Sequence, residues 1–408
     1  MTTPSQPNDQ AQSHLFGVYN RAPLEVERGE GVRLFARDGR EFVDLVQGIA
    51  TNGLGHCHPS LIAAVKAQAE KIWHVSNIYR IPEQEELADR LCADSFADKV
   101  FFTNSGTEAI ECALKLARKY HADKGQPERI DIITFEGAFH GRSYAAVNAG
   151  GNDAYLKGFG PKLPGYVHLS LDDHDAIKAA ATAPTAAAIL VEPVQGEGGA
   201  RALSDAELQF LRDLCDQNGL LLMFDEIQCG VGRTGKLWAY QWTSVQPDVL
   251  TTAKALGGGF PIGACLSTEA AASGMIPGTH GSTFGGNPLA MAVGLAAYGE
   301  LSKPETLDHV NEVSGFLRQQ LQGLKAAFPD IIEDIRGKGL LVGIKVTPNN
   351  REVMTLARDN GLLIAGGSDN CVRLLPPLNL SIDEAREALG LLEKTFAAAR
   401  EGAKKEPA

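Results

Sequence analysis

Short apolar runs that alternate with helical patterns constrain this chain more than any other feature. Val100–Thr103, Ile130–Phe135, Ala187–Val191, Leu220–Phe224 and Val249–Thr252 are too short for helices and too apolar for surface loops. They read as buried strands. One helical pattern begins near Thr107, with Ile110, Ala113, Leu114 and Ala117 at the i, i+3, i+4, i+7 spacing. Another spans Asp205 to Gln217 and ends at the stop signal Asn218-Gly219. Strand–helix–strand alternation predicts a mainly parallel sheet with helices on both faces. Such a sheet takes its ligands at the carboxyl ends of the strands, so the residues that follow each apolar run become the candidates.

After about Asn287 the pattern changes. Helices fit Leu289–Leu301 and Leu307–Phe328, the second with Val310, Val313, Leu317, Leu321 and Leu324 on one face. Strands fit Ile331–Ile335, Leu340–Val346 and Val372–Leu375, with a helix near Glu352–Asn360 and a last one from Asp383. The N-terminal stretch Leu24–Val46 has hairpin character around Asp38-Gly39 and is expected to pack on this C-terminal unit. The expected division is a small domain drawn from residues 14–55 and 289–400, around a large domain at 56–288. The polar ends, 1–13 and 401–408, are expected to be disordered.

A formal charge of −12 argues against a general nucleic-acid binder, which needs clustered Lys and Arg. The seven cysteines are odd in number and scattered without a CxxC pair, so neither a disulfide framework nor a zinc site is indicated. Met1–Ser13 lacks an apolar core like that of a signal peptide, and no apolar run reaches membrane-spanning length. A cytoplasmic location without membrane partners is the expectation.

Lys254 carries the strongest chemical signal. It closes an apolar segment and is followed at once by Gly257-Gly258-Gly259. Lost hydration at such a place lowers an amine's pKa and makes it nucleophilic. Asp225 ends the run Leu220–Phe224, at the carboxyl end of its strand. A lysine for a Schiff base and a carboxylate for a pyridinium nitrogen together point to pyridoxal phosphate. At about 4 Å the carboxylate favours ring protonation by about 4 kcal/mol at an effective dielectric of about 20.

Other segments supply complementary parts. Asn104–Glu108 lies between strand and helix, where either an anion or a Ser/Thr cap suits the helix start. Phe139-His140-Gly141-Arg142 offers a ring to stack on a flat cofactor and a guanidinium to grip a carboxylate. Glu192–Gly199 carries two carboxylates, Glu192 and Glu197, on a glycine-rich loop, and Thr279–Asn287 is a second anion-friendly loop. Arg373 is a charge inside an apolar strand and needs a partner, a ligand or solvent. Gly230-Val231-Gly232-Arg233-Thr234-Gly235 satisfies GxGxxG but starts late after its strand, and no helix pattern follows, so a loop near the site is expected instead of a nucleotide cradle. His56-Cys57-His58 sits in a Gly/Pro turn with no third ligand, and no metal is expected.

Together, Ser105–Glu108, Phe139–Arg142, Glu192–Gly199, Asp225–Gln228 and Lys254 resemble the class III (ω-amino) aminotransferases of fold type I, over about Tyr19–Leu392. Within the class, Arg142, His280–Asn287, Arg336–Leu340 and Arg373–Leu378 are similar to the acetylornithine branch. The resemblance implies an α/β fold: a large domain with a mostly parallel seven-stranded sheet, plus a smaller α+β domain built from both chain ends. It implies Lys254 as the Schiff-base lysine and proton shuttle, with Asp225 as the pyridinium partner. Gly106 and Thr107 hold the phosphate, and Thr283 arrives from the neighbouring subunit of a homodimer. Phe139 stacks on the ring, Glu226 and Ile227 belong to the cofactor set, and Gln228 lies near the phenolic oxygen.

For substrate, the resemblance implies that Glu197 pairs with Arg373 in one half-reaction. It then frees that arginine for the α-carboxylate of glutamate or 2-oxoglutarate in the other. Arg142, helped by Ser282, holds the distal carboxylate of an acylated substrate. The implied reaction moves the terminal amine of N2-acetylornithine to 2-oxoglutarate, as in arginine biosynthesis. Succinylornithine, N-succinyl-diaminopimelate, ornithine and 4-aminobutyrate are the alternative donors. Two positions depart from the class: Ile110 stands where many relatives have Asn, and Arg21 aligns with a tyrosine that contacts the free α-amine in ornithine aminotransferases. The second departure favours an acylated nitrogen.

Overall fold

The computed structural model of the protein describes residues 14–403; the expectations for 1–13 and 404–408 lie outside that range. Three short antiparallel strands come first, β1 (Val26–Glu30), β2 (Arg33–Ala36) and β3 (Glu41–Asp44). The β2–β3 turn needs a left-handed residue, which Gly39 supplies at φ +87°. Then follow α1 (Pro59–Ala69), α2 (Pro82–Ala93), β4 (Lys99–Thr103), α3 (Gly106–Asp123), β5 (Asp131–Phe135) and α4 (Tyr144–Gly150). After them come β6 (Tyr166–Leu169), α5 (His174–Ala181), β7 (Ala186–Val191), α6 (Asp205–Asn218), β8 (Leu221–Asp225), β9 (Val249–Thr252) and β10 (Gly263–Ser267).

Strands β4 to β10 form one seven-stranded sheet in the order β4-β10-β9-β8-β7-β5-β6. Only β10 runs against the rest. Successive side chains on a strand face opposite ways, and both faces here are covered. Leu222 and Phe224 of β8 therefore join one apolar cluster, while Leu221 and Met223 join another that contains Ile110, Leu114 and Ala117 of α3. Each such large side chain contributes about 1.5–3 kcal/mol on burial. Strand β7 is buried at all its positions, which is why it reads as an unbroken apolar run. Strands β6 and β10 were not legible as runs. The first is only half-buried, and the second is masked by its first-residue glycine and its terminal serine.

The C-terminal part contains α7 (Pro288–Leu301), α8 (Pro304–Ala327), β11 (Ile332–Lys338), β12 (Leu341–Val346), α9 (Asn350–Asp359), β13 (Leu362–Leu363), β14 (Ala365–Gly366), β15 (Cys371–Leu374) and α10 (Ile382–Ala403). Strands β11, β12, β15 and β14 make an antiparallel sheet in that order. Strand β13 pairs in parallel with β3, so the two chain ends share a sheet. The last helix corrects one expectation, because it runs through Ala403 and into the stretch expected to be disordered. Its end is tied down where Arg400 pairs with Asp330 and donates to the Ala327 carbonyl at 2.9 Å.

Candidate active site

The carboxyl ends of β4, β5, β7, β8 and β9 converge on one cavity of about 300 Å³. The β4–α3 junction brings Gly106 and Thr107, the loop after β5 brings Phe139, and the loop after β7 brings Glu192 and Glu197. Strand β8 brings Asp225, Ile227 and Gln228, and Lys254 follows β9. This is the ligand edge expected of an open α/β sheet.

Lys254 sits at φ +44°, a left-handed conformation that costs a side-chain-bearing residue about 1–3 kcal/mol. The next turn is closed by Gly258 at φ +56°. Burial pulls the Lys254 amine down to about 8; Glu197 and Asp225 push the other way, and Arg373 adds to the lowering. The amine is therefore available as a nucleophile near neutral pH.

Asp225 is buried and held at both oxygens. Its Oδ1 accepts the Ile227 N–H at 3.0 Å, and its Oδ2 meets His140 Nδ1 at 2.8 Å. His140 is buried too, and its Nε2 has no partner among the described residues. Burial alone lowers the imidazole's pKa, but the hydrogen bond and charge of Asp225 outweigh it, and the net direction is up. His140 lies within the Phe139–Arg142 motif, whose sequence points to no role for it. Its link to Asp225 joins residues 85 apart in sequence, and only the fold brings them together. Glu192 supports the same corner, accepting the N–H groups of Phe139 and Gly196, both at 2.9 Å. Burial raises its pKa, with Asp225 pushing the same way.

Helix α3 begins at the cavity. Ser105 is its N-cap and accepts the Glu108 N–H at 3.3 Å. The capping and the anion readings thus coexist, because the first N–H groups of a helix have no intrahelical partner. A Cβ at Gly106 would lie 2.8 Å from the Ile227 side chain, so glycine lets that wall close. Thr107 Oγ1 accepts the Arg142 N–H at 3.2 Å. Gly141 lies at φ +130° directly against Thr107.

Opposite this helix, Glu197 Oε1 accepts from Arg373 at 2.7 Å. Arg373 also donates to Gln228 Oε1 at 3.0 Å and to the Gly366 carbonyl at 2.8 Å. The buried charge in β15 therefore has its partners, as its place in an apolar strand requires. Arg373 stands behind Glu197 and Gln228 and does not itself line the cavity.

Other expected residues lie elsewhere. Glu226 turns away from the cavity and accepts the N–H groups of Ala239 and Tyr240 at 2.6 and 2.9 Å. Burial, against those two hydrogen bonds, pushes its pKa up to about 8. The Arg142 guanidinium lies 3.6 Å from the centre of the Tyr155 ring, outside the cavity lining. Ser282 Oγ accepts the Gly285 N–H, and Thr283 is exposed; neither reaches the cavity of its own chain. The GxGxxG loop serves the junction between the two parts of the chain, where Arg233 donates to the carbonyls of Leu340 and Pro376. His56 pairs with Asp44, and no metal-ligand cluster occurs among the described residues.

Comparisons with known proteins agree with this geometry. The family model "Aminotransferase class-III" matches residues 17–396. The chain belongs to the class-III aminotransferases. Acetylornithine aminotransferase 2 of Caulobacter vibrioides is 68% identical to it over 391 residues, covering 96% of each protein. Acetylornithine aminotransferase of Agrobacterium fabrum is 55% identical, over 95% of this chain and 97% of its own. Among solved structures, N-acetylornithine aminotransferase from Stenotrophomonas maltophilia superimposes with a TM-score of 0.83 at 36% identity, over 94% of this chain and 98% of its own. Ornithine aminotransferase from Toxoplasma gondii gives a TM-score of 0.92 at 32% identity, over 96% and 94%.

The cofactor of this aminotransferase class is pyridoxal phosphate, and the residues present fit it. A lysine amine lowered by burial, a doubly held carboxylate, an open helix start and an aromatic ring all face one cavity. Among the described residues, no helix of this class-III aminotransferase is long and apolar enough to cross a membrane.

Proposed function

We propose that this aminotransferase reversibly moves the terminal amine of N2-acetylornithine to 2-oxoglutarate, giving N-acetylglutamate 5-semialdehyde and glutamate, as a step of arginine biosynthesis. The observation that carries the reading is the Glu197–Arg373 pair at the cavity wall. While paired, the arginine is occupied, and the wall accepts a donor whose reacting end carries only an amine. Once Glu197 swings away, Arg373 can take the α-carboxylate of glutamate or 2-oxoglutarate. Two donors with unlike reacting ends then share one pocket. The names of the two similar relatives support the acylated diamine as the first donor.

Pyridoxal phosphate, when bound, supplies a conjugated ring that draws electrons from the carbon bearing the amine. Lys254 would hold the cofactor and carry the proton to and from that carbon. Asp225 would keep the proton on the ring nitrogen, its angle set by His140 and the Ile227 N–H. Gly106 and Thr107 would hold the phosphate at the start of α3. Phe139 and Ile227 would wall the ring, with Gln228 beside its phenolic oxygen. Arg142 would take the distal carboxylate of the donor, helped by Ser282. The partner subunit's Thr283 would complete the phosphate site of a homodimer. Exposed Trp73, Ile78, Tyr79 and Phe284, near that loop, support such a dimer. We also propose a cytoplasmic setting, which the free thiols support.

A panel of amine donors with 2-oxoglutarate tests the reading. N2-acetylornithine should lead ornithine and 4-aminobutyrate in kcat/KM, and dominant activity on 4-aminobutyrate would overturn it. An Arg142→Ala variant that leaves the acylornithine half-reaction unchanged would remove Arg142 from the substrate site.

A further inference from the structure

The hairpin that carries Arg373 ends in a turn whose backbone is costly. Strands β14 and β15 pair with Gly366 opposite Val372. Their tip is the turn Ser368–Cys371, closed by the Cys371 N–H on the Ser368 carbonyl at 3.2 Å. Both central residues are left-handed, Asp369 at φ +53° and Asn370 at φ +51°. A pair of left-handed residues suits a tight hairpin, and glycine usually supplies one of them. Here neither is glycine, although Asp and Asn bear the conformation better than most side chains. Such strain persists only where the surroundings over-determine it.

The surroundings do so from both sides. Asn370 Nδ2 donates to the Pro348 carbonyl at 2.8 Å, and its Oδ1 accepts the Asn350 N–H at 3.0 Å, at the start of α9. Asp369 accepts from Arg336 of β11 at 2.6 Å and from Lys345 of β12 at 3.3 Å. Arg336 also reaches Asp334 at 2.9 Å. It opens the Arg336–Leu340 segment of the sequence and lies outside the cavity lining.

What the turn holds is Glu197. The Ser368 N–H donates to the Glu197 carbonyl at 2.8 Å. Gly199, at φ +91°, packs so closely that a Cβ there would stand 3.0 Å from the Ser368 carbonyl oxygen and from Cys371 Sγ. Arg373 follows the turn on the same hairpin, and its Nε donates back to the Gly366 carbonyl at 2.8 Å. Both partners of the Glu197–Arg373 pair are thus referenced to one hairpin, one through the chain and the other through the Ser368 N–H. Movement of the turn changes the separation of the pair, and the Arg336–Asp369 bond resists that movement.

We propose that Arg336 is a positioning residue for donor choice: through Asp369 it fixes the strained turn that sets Glu197 against Arg373. The proposal rests on the reading above, in which Glu197 releases Arg373 for glutamate. It adds that the release is a side-chain rotation about a backbone held still. With the turn loosened, the pair weakens, Arg373 is freer, and the glutamate half-reaction gains on the acylornithine one. The Arg336 side chain is 26% exposed and that of Asp369 46%. A pair so exposed transmits at most about a fivefold change.

The experiment measures single-turnover half-reactions of the full-length, cofactor-loaded enzyme with glutamate and with N2-acetylornithine, each followed through the cofactor's absorbance. Arg336→Gln and Asp369→Asn should each raise the glutamate-to-acylornithine rate ratio by about twofold to fivefold. The double variant should raise it no further, because both changes remove one bond. Arg336→Lys should shift the ratio less than Arg336→Gln does. Asp369→Asn keeps a residue that tolerates the left-handed backbone, so it reports the lost charge even where Arg336→Gln folds poorly. Glu197→Gln is measured beside them. If it shifts the ratio while Arg336→Gln and Asp369→Asn leave it unchanged, the positioning role is overturned and the Glu197 switch stands. Equal losses in both half-reactions, or additive effects in the double variant, also overturn it, since a general loosening of the fold gives those. If Glu197→Gln itself leaves the ratio unchanged, the switch fails and the positioning role falls with it.

Discussion

Lys254→Met should stabilise the chain stripped of pyridoxal phosphate, by an amount that depends on pH. Burial holds the Lys254 amine at about 8, against an ordinary lysine value of 10.5. That gap corresponds to about 3 kcal/mol of disfavoured charge when the lysine is protonated. Because the residue still opens on the cavity, this is a ceiling. The folded chain binds fewer protons than the unfolded one between these two values, so its stability rises as pH climbs through the window. Below about 8 the full cost of burying the ammonium is present. Methionine is similar in length and uncharged, and it inherits the same φ of +44°, so backbone strain cancels in the comparison. Urea denaturation near pH 6.5 should show the variant more stable by about 2–3 kcal/mol, and the gain should shrink below about 1 kcal/mol near pH 10. Coincident midpoints near pH 6.5 would refute a depressed Lys254, and so would a gain that stays constant to pH 10.

Three further perturbations follow from the contacts. His140→Ala removes the Nδ1 partner of a buried carboxylate and should cost about 3 kcal/mol in denaturant stability, with kcat falling more than KM changes. Gly141→Ala drives a methyl group against Thr107 at a φ of +130°. It should weaken pyridoxal phosphate on the order of tenfold or more in an equilibrium titration. Glu197→Gln leaves Arg373 bound only by neutral groups, Gln228 and the Gly366 carbonyl. In single-turnover measurements, it should raise the glutamate half-reaction relative to the acylornithine one by on the order of tenfold.

Much of the fold was legible because both faces of the large sheet are buried, and its inner strands stand out as apolar runs. Lys254 and Asp225 were legible because they end such runs. Glu226 shows the limit. Its neighbour in sequence faces the cavity, but consecutive residues on an extended chain point to opposite sides. Glu226 thus turns to the N–H groups of Ala239 and Tyr240. His140 shows the converse. A histidine in a loop carries no local sign of its partner, and its contact with Asp225 depends on β5 and β8 flanking β7 in the same sheet. Ser282 and Thr283 lie on a loop that does not line the chain's own cavity, although Asn104 of the cavity wall donates to Ser282 Oγ at 3.4 Å. The residues of Thr279–Asn287 read as an anion-friendly loop, but only the resemblance pointed to a phosphate site across a homodimer for Thr283.

The origins of the cavity groups also suggest how chemistry and specificity separate in this enzyme. Lys254, Asp225, Gly106, Thr107 and Phe139 all follow strands of one sheet, whose core fixes their spacing. Arg373 comes from β15, a strand of the other sheet, and reaches the cavity only through Glu197 and Gln228. A shift of the second unit by a fraction of an ångström would leave those five groups in register while it lengthened the 2.7 Å bond between Arg373 and Glu197. Changes that retune donor choice should therefore collect in β15 and the Glu197 loop, where they leave Lys254 and Asp225 untouched.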